Sequence, residues 1–270
     1  MLDGKTLGFI GGGNMAEALI AGVLRSGDIA GPSVLVAEPV AERADYLREQ
    51  YDVRTLSTAE LASQADIIVV AVKPQIVDAV ITELRGVIDP DAVVISVAAG
   101  VPAARFEAAL PNVPVVRVMP NTPALVGEGM SVIAPGAAAS PQHLQHARTI
   151  LSGAGKVVQL EESQLDAVTA VSGSGPAYFF YLVEALIDGA QTLGLDKATA
   201  TELVVQTAYG AATMLRDSGR DAQTLRTDVT SPGGTTAAGL QVLEDNGARD
   251  LFTAMITAAR DRSVSLGNNG

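Results

Sequence analysis

The sequence predicts an α/β chain: a doubly wound (Rossmann) parallel sheet followed by an all-α domain. Three observations carry this. Near the start, an apolar strand over residues 5–10 runs through the glycine turn Gly11-x-Gly13-x-x-Ala16 directly into a helix. Apolar runs of strand length then alternate with helical spacing as far as residue 160, the pattern of parallel strands covered on both faces. From Ser163 onward only helical periodicity is found. The boundary is expected near residue 161, with a dinucleotide-binding domain over 1–161 and a helical domain over 162–270.

Composition agrees with that layout. A chain of 270 residues suffices for two cores, and 48% hydrophobic against 18% charged residues describes a packed globular protein. Aromatics make up only 4%, so the core is built from Ala, Val, Leu and Ile. A formal net charge of −12 argues against nucleic acid as a partner. It does not exclude an anionic ligand held by backbone donors. The chain has no cysteine, which removes disulfides, thiolate nucleophiles and Cys-ligated metal sites. With no apolar signal core and no apolar run of membrane-span length, a cytoplasmic protein without membrane contact is expected.

Each element has its own signals. In the opening turn Gly11 permits a tight bend, Gly13 lets the backbone approach a pyrophosphate, and Ala16 lets the helix pack on the strand. The helix over 14–26 presents N–H groups and a positive dipole to phosphates, and Gly27 with Gly31-Pro32 closes it. Further strands are expected over 33–37, 53–56, 67–72, 92–98 and 115–119, separated by helices over 40–50, 58–64, 74–85 and 103–110. Two prolines make residues 119–123 a rigid loop. Strand-like pieces at 131–134 and 156–160 flank a helix over 141–151. Beyond them, the helical run 164–193 is interrupted at Ser172-Gly173-Ser174-Gly175-Pro176, and 197–218 and 250–266 are helical. The helices over 171–193 and 203–215 are apolar around much of their circumference, which predicts burial between subunits in an obligate dimer.

Ligands of such sheets lie beyond the carboxyl ends of the strands. Glu38, about 20 residues past the turn, is placed either to accept from the adenosine ribose hydroxyls or to open the next helix as a surface acid. Lys73 either contacts a phosphate or is a solvated lysine before a helix-opening proline. Small residues at 98–100 leave room for a flat ring. In the helical domain, residues 230–236 (TSPGGTT) lead into a helix and make either a carboxylate or phosphate site or a plain turn with a Thr N-cap.

A metal site is not expected. The two histidines, His143 and His146, lie three apart on one helix, which a surface helix explains better than coordination. No Ser-His-Asp or Cys-His arrangement is discernible, so the chemistry is expected to come from a cofactor. Hydride transfer to a cyclic imine suits this residue set. Protonating the imine nitrogen makes its carbon a good acceptor without a strong protein acid, and a hydroxyl such as Thr236 can orient that nitrogen or a water beside it.

The segments GFIGGGNMA, AVKP, MPNTP, AVSGSGPAYFF and VTSPGGTT, in this order and spacing, resemble the pyrroline-5-carboxylate reductases over residues 5 to about 266. The resemblance implies NADPH- or NADH-dependent reduction of the small-molecule substrate 1-pyrroline-5-carboxylate to L-proline, the last step of proline biosynthesis. It also implies a homodimer built through the helical domain, and often a ring of five dimers. Carried over by position, it implies that Ile10, Gly11, Gly12, Gly13, Asn14 and Met15 hold the pyrophosphate. Ala71, Val72, Lys73 and Pro74 with Val97, Ala98 and Ala99 would line the nicotinamide end, and Asn121 joins the cofactor-binding set. Ser231 and the backbone of Gly234, Thr235 and Thr236 would hold the substrate carboxylate, with the Thr236 hydroxyl as the catalytic group near the ring nitrogen. Glu162 and Asp228 would border the substrate, although relatives carry other side chains at the position of Asp228.

Glu38 is a second departure, because NADPH-preferring relatives tend to have small hydroxyl, Asn or Arg residues here. A carboxylate repels a 2′-phosphate, so NADH is expected to be used well. Arg43 lies close enough in sequence to swing toward a phosphate, which keeps both cofactors in view. Two other functions compete. A hydroxy- or keto-acid dehydrogenase needs a Lys, His or Glu acid/base in the second domain, and Lys197, the one lysine after Lys156, is far in sequence from residues 230–236. A nucleotide sensor without turnover has no need of a carboxylate-binding loop from Ser231 to Thr236.

Overall fold

The computed structural model describes residues 2–268. The chain divides into two compact units, one made of residues 1–174 with 259–270 and the other of 175–258.

The first unit carries strands β1 (Leu7–Ile10), β2 (Val34–Ala37), β3 (Arg54–Thr55), β4 (Ile67–Val70), β5 (Val93–Ser96), β6 (Val115–Met119), β7 (Gly129–Pro135) and β8 (Gly155–Gln159). Its helices are α1 (Asn14–Ser26), α2 (Ala41–Tyr51), α3 (Thr58–Ala62), α4 (Val77–Leu84), α5 (Ala103–Ala109), α6 (Pro141–Ser152) and α7 (Leu165–Val168). The strands form one sheet in the order β3-β2-β1-β4-β5-β6-β7-β8. The first six are parallel, with Leu7 set between Val34 and Ile67 and Ile10 between Ala37 and Val70. Strand order therefore reverses direction at β1, the switch point where a crevice opens beyond the carboxyl ends.

The doubly wound sheet expected from the sequence is present, with one exception. β7 runs antiparallel to β6. The connection over 120–128 holds only a short 3-10 turn, Thr122–Val126, and is too short for the crossover that a parallel return requires.

The alternation of β1 sends Leu7 and Phe9 into the layer beneath α1 and α6, and Ile10 into the layer beneath α3, α4 and α5. Gly8 faces that second layer, where a Cβ would lie 2.5 Å from Leu61 Cδ2. Leu19, Ile20 and Val23 of α1 are fully buried, each contributing about 1.5–3 kcal/mol of transfer free energy. α1 also meets the end of α6 backbone to backbone, at Gly22 and Gly153.

Past α7, residues Thr169–Gly173 form a single π-helical turn, and helix α8 (Gly175–Thr192) starts afresh with Pro176 in its first turn. Proline is tolerated there because that N–H has no intrahelical acceptor. The break expected at residues 172–176 is thus a π-turn followed by a new helix.

The second unit comprises α8, α9 (Lys197–Asp217), α10 (Ala222–Asp228), α11 (Thr235–Asp245) and the start of α12 (Ala248–Asn268). Asp196 caps α9 by accepting from the Ala198 and Thr199 N–H groups, and Asp221 caps α10 through Thr224. Among the described residues of this unit only Gly175, Ala200 and Leu225 are buried in the single chain. Phe179, Phe180 and Tyr181 are each about 70% exposed, with Tyr209, Val242 and Leu251 exposed as well. A helical unit of this kind leaves most of its apolar surface without a partner of its own.

Gly22→Ala tests the α1–α6 contact. Alanine is better than glycine in a helix by about 1 kcal/mol, but a Cβ here would meet the Gly153 carbonyl carbon at 2.7 Å, and backbone cannot yield as a side chain can. The clash is expected to win, with a net loss of roughly 1–3 kcal/mol in denaturant unfolding.

Candidate active site

The three glycines of the opening turn serve different ends. Gly11 has φ 93°, donates its N–H to the Ala37 carbonyl at 2.8 Å, and would place a Cβ 2.7 Å from the Ala71 oxygen. Only glycine fits there. At Gly12 a Cβ would lie 2.7 Å from Leu47 Cδ1. Gly13, the N-cap of α1, has an ordinary φ of −66°, and a Cβ there would meet nothing within 4 Å. The fold itself therefore does not call for glycine at this position, whereas a ligand pressed against the backbone does. No side chain caps the first turn of α1, and Ala16 is fully buried beneath it. An N-terminus of this form suits a pyrophosphate through backbone N–H groups and dipole, whatever the net charge of the chain.

At the end of β2 the Glu38 carboxylate bridges the turn and the start of α2. It accepts from the Gly12 N–H at 2.7 Å and from the Val40 N–H at 3.0 Å. Arg43 binds the other side of the same glycine, its Nε donating to the Gly12 carbonyl at 2.6 Å, and its Nη2 reaches Glu17 Oε2 at 2.5 Å. Tyr46 and Tyr51 both donate their hydroxyls to Glu17 Oε1 at 2.9 Å, and the Arg43 guanidinium lies 5.1 Å from the Tyr46 ring centroid. Partial burial pushes the Glu17 carboxyl up, but the bonds from Arg43, Tyr51 and Tyr46 outweigh it and leave its pKa below the usual range. Burial and the Glu17 carboxylate push the Tyr51 phenol up in turn. Sequence reasoning missed Glu17, because an acid in the first turns of a helix reads as an ordinary surface residue. Its partners on α2 become visible only once the helices pack.

Beyond β4 and β5, the Ala71 N–H donates to the Ile10 carbonyl at 2.8 Å and the Val97 N–H to Val70 at 3.1 Å, so the strand ends stay in register. Val72 is half-buried, Lys73 and Pro74 are exposed, Ala98 is buried and Ala99 is exposed. A cavity of about 510 Å³ in this unit is lined by Pro74, Ala99, Gly100, Arg105 and Ser174 among others. At its rim Arg105 grips Asp78 with two hydrogen bonds of 2.7 and 2.5 Å, which hold the Asp78 carboxyl below its usual range.

Two residues expected near ligands have their side chains engaged within the fold. Asn121 donates from Nδ2 to the Ser172 carbonyl at 3.0 Å and accepts the Met130 N–H at 2.8 Å, bracing the π-turn against the β6–β7 loop. Glu162 accepts from the Ala103 N–H at 2.8 Å and from Arg117 at 3.1 Å, tying α5 and β6 to the start of the helical segment.

In the second unit the loop over 231–236 closes through Gly233, at φ 73°, and through a bond from the Gly234 N–H to the Ser231 carbonyl at 3.0 Å. A Cβ at Gly234 would lie 2.6 Å from Ser231 Oγ. Because the Gly234 N–H is spent on the turn and the Ala238 N–H makes the first helical bond, the donors at the start of α11 are the N–H groups of Thr235, Thr236 and Ala237. Gly234 is the N-cap and no side chain caps this end. Ser231, Thr235 and Thr236 are exposed. Three backbone donors, a helix dipole and three hydroxyls suit a carboxylate. Asp228, at the end of α10, is paired with Arg220.

A family model described as pyrroline-5-carboxylate reductase dimerisation matches residues 162–266, and one described as NADP oxidoreductase coenzyme F420-dependent matches residues 6–100. A pyrroline-5-carboxylate reductase of Corynebacterium melassecola is 40% identical over 269 residues, spanning 98% of this chain and 99% of the relative. The chain belongs to the pyrroline-5-carboxylate reductase family. It is accordingly an NAD(P)H-dependent oxidoreductase. Two solved pyrroline-5-carboxylate reductases share its fold. That of Coxiella burnetii is 36% identical with a TM-score of 0.92 and coverage of 97% of this chain and 98% of that one. The Plasmodium falciparum enzyme, with NADP bound, is 31% identical with a TM-score of 0.87 and coverage of 99% and 100%.

The contrast among the glycines is testable in this reductase. Gly13→Ala is expected to cost about 1 kcal/mol or less as an N-cap change while weakening NADH binding at least tenfold in a fluorescence titration. Gly11→Ala is expected to lower the melting temperature first, since both its φ and its contact with Ala71 exclude a Cβ. Equal effects of the two changes on stability would contradict this division.

Proposed function

We propose that this chain reduces the imine of 1-pyrroline-5-carboxylate to give L-proline, using residues 1–161 for the cofactor and 162–270 for substrate and self-association. The observation that carries the substrate assignment is the uncapped start of α11 with Ser231, Thr235 and Thr236 exposed around it. Family membership supports 1-pyrroline-5-carboxylate as the source of that carboxylate.

In this reading the N–H groups of Asn14 and Met15 at the start of α1, with the close-approach Gly13, hold the pyrophosphate, and Ile10, Gly11 and Gly12 shape the turn. Glu38 accepts from the ribose diol, which makes NADH a good cofactor. Residues 71–74 and 97–99 line the nicotinamide end. When bound, the cofactor supplies a hydride to the imine carbon, the C=N π pair passes to nitrogen, and the product is a saturated ring amine. The Ser231 hydroxyl and the N–H groups of Thr235 and Thr236 neutralise and orient the substrate carboxylate. Gly234 acts by closing the loop. The Thr236 hydroxyl is far too weak an acid to protonate the ring nitrogen unaided, so it orients the nitrogen or the water that supplies the proton.

Glu162, held by Arg117 and Ala103, and Asp228, held by Arg220, are assigned to the substrate, and Asn121, held by Ser172 and Met130, to the cofactor. The exposed apolar faces of α8, α9 and α11 are covered by a second copy in a cytoplasmic homodimer, and five such dimers make the family's decamer.

Steady-state rates with 1-pyrroline-5-carboxylate test the substrate assignment. Thr236→Ala is expected to lower kcat by about 10- to 100-fold, on the scale of a lost orienting group, and Thr236→Ser to recover most of it. A Thr236→Ala enzyme as fast as the parent removes that role. Turnover only with a keto acid points to the dehydrogenase reading instead. Sedimentation equilibrium at micromolar concentration is expected to give the dimer mass or a multiple of it, and a folded monomer would refute the proposed association.

A further inference from the structure

We propose that Glu17 is a positioning residue for coenzyme choice. By holding Arg43 against the glycine turn and cancelling its charge, it leaves Glu38 to set the sign of the ribose site, which then favours NADH over NADPH. The proposal rests on the assignment of the turn at 11–16 as the nucleotide site.

Both backbone polar groups of Gly12 are engaged by side chains. Its N–H is taken by Glu38 and its carbonyl by Arg43. An acid and a guanidinium are thus fastened to the two successive peptide groups that flank the Gly12 Cα, at the end of β2 where the adenosine ribose of a Rossmann nucleotide sits. Left to itself, that guanidinium would make the site attractive to a 2′-phosphate, since Arg offers planar bidentate recognition of phosphate. Glu17 prevents this in two ways. It takes one arm of the fork through Arg43 Nη2, and it supplies a charge opposite to that of Arg43 at contact distance.

Tyr46 and Tyr51 hold Glu17 in place by donating to its second oxygen, so both carboxylate oxygens are engaged. A clamp between α1 and α2 alone would not need the Arg43 bond to the Gly12 carbonyl. Of the charged side chains linked to the Gly12 backbone among the described residues, directly or through Arg43, Glu17 and Glu38 are negative and Arg43 is positive. The sum is negative, and a 2′-phosphate would add about two further negative charges. A free ribose diol adds none and donates to Glu38.

The test is a fluorescence titration of NADH and NADPH against the full chain without substrate, with adenosine 2′,5′-bisphosphate as a competitor that lacks the nicotinamide. Glu17→Gln keeps a side chain able to bond the two tyrosines but removes the charge. It is expected to tighten NADPH and the bisphosphate roughly tenfold while NADH stays within about twofold, as one unit charge at ribose distance in a partly solvated site implies. High salt should shrink the gain, and adding Arg43→Ala should abolish it. Arg43→Ala alone, a half-buried position on α2, is expected to do the reverse and widen the preference for NADH.

Glu17→Gln shifting both nucleotides by the same factor would show a purely structural residue and overturn the proposal. So would an Arg43→Ala ratio equal to that of the parent. A parent chain that binds neither nucleotide would overturn the nucleotide-site assignment itself, and this inference with it.

Discussion

The nucleotide end of this structure depends on the close approach of Gly11 to the strands beside it. Its N–H is tied to the Ala37 carbonyl of β2, and the space a Cβ would need is already filled by the Ala71 oxygen beyond β4. The chain can leave β1 only by a left-handed step. That step starts α1 immediately above the switch point of the sheet, with Gly13 facing open space and the first turn uncapped. The open, uncapped helix terminus is a consequence of how tightly β1 is held on both sides.

The same turn explains how a chain of net charge −12 takes an anionic cofactor. Its long-range field does not attract such a ligand, so binding relies on short-range donors that cannot be neutralised: backbone N–H groups and a helix dipole. Side-chain charge near the turn is used for a different purpose. Glu38 takes the Gly12 N–H and Arg43 the Gly12 carbonyl, and Glu17 with two tyrosines holds the arginine. In the proposed site the backbone confers affinity, and the side chains discriminate.

Much of this was legible in the sequence because burial on both faces leaves a strong mark. The strands over 7–10, 34–37, 67–70 and 93–96 are continuous apolar runs, and the helix Asn14–Ser26 has its limits where the glycine signals put them. What escaped notice has physical reasons. The antiparallel turn of β7 follows from the length of a loop and leaves the apolar pattern of the strand unchanged. Helix α10 has seven residues, too few to establish a period. The π-turn at Thr169–Gly173 differs from an α-helix by one hydrogen-bond register, which composition does not record. The side-chain roles of Glu17, Asn121 and Glu162 depend on partners from 9 to 59 residues away, and spacing along the chain carries no trace of them. The loop at 231–236 was legible as a helix-opening anion site, yet the use of the Gly234 N–H in closing the loop was not.

In the proposed mechanism two helix N-termini serve the two halves of the reaction, α1 for the cofactor and α11 for the substrate carboxylate. Peptide-resolved hydrogen–deuterium exchange on the full chain reads both directly, since a ligand that takes those N–H groups slows their exchange. NADH is predicted to protect residues 12–17, and L-proline, added with the oxidised cofactor, to protect residues 234–238. Protection by L-proline that leaves 234–238 unchanged and appears elsewhere would contradict the account.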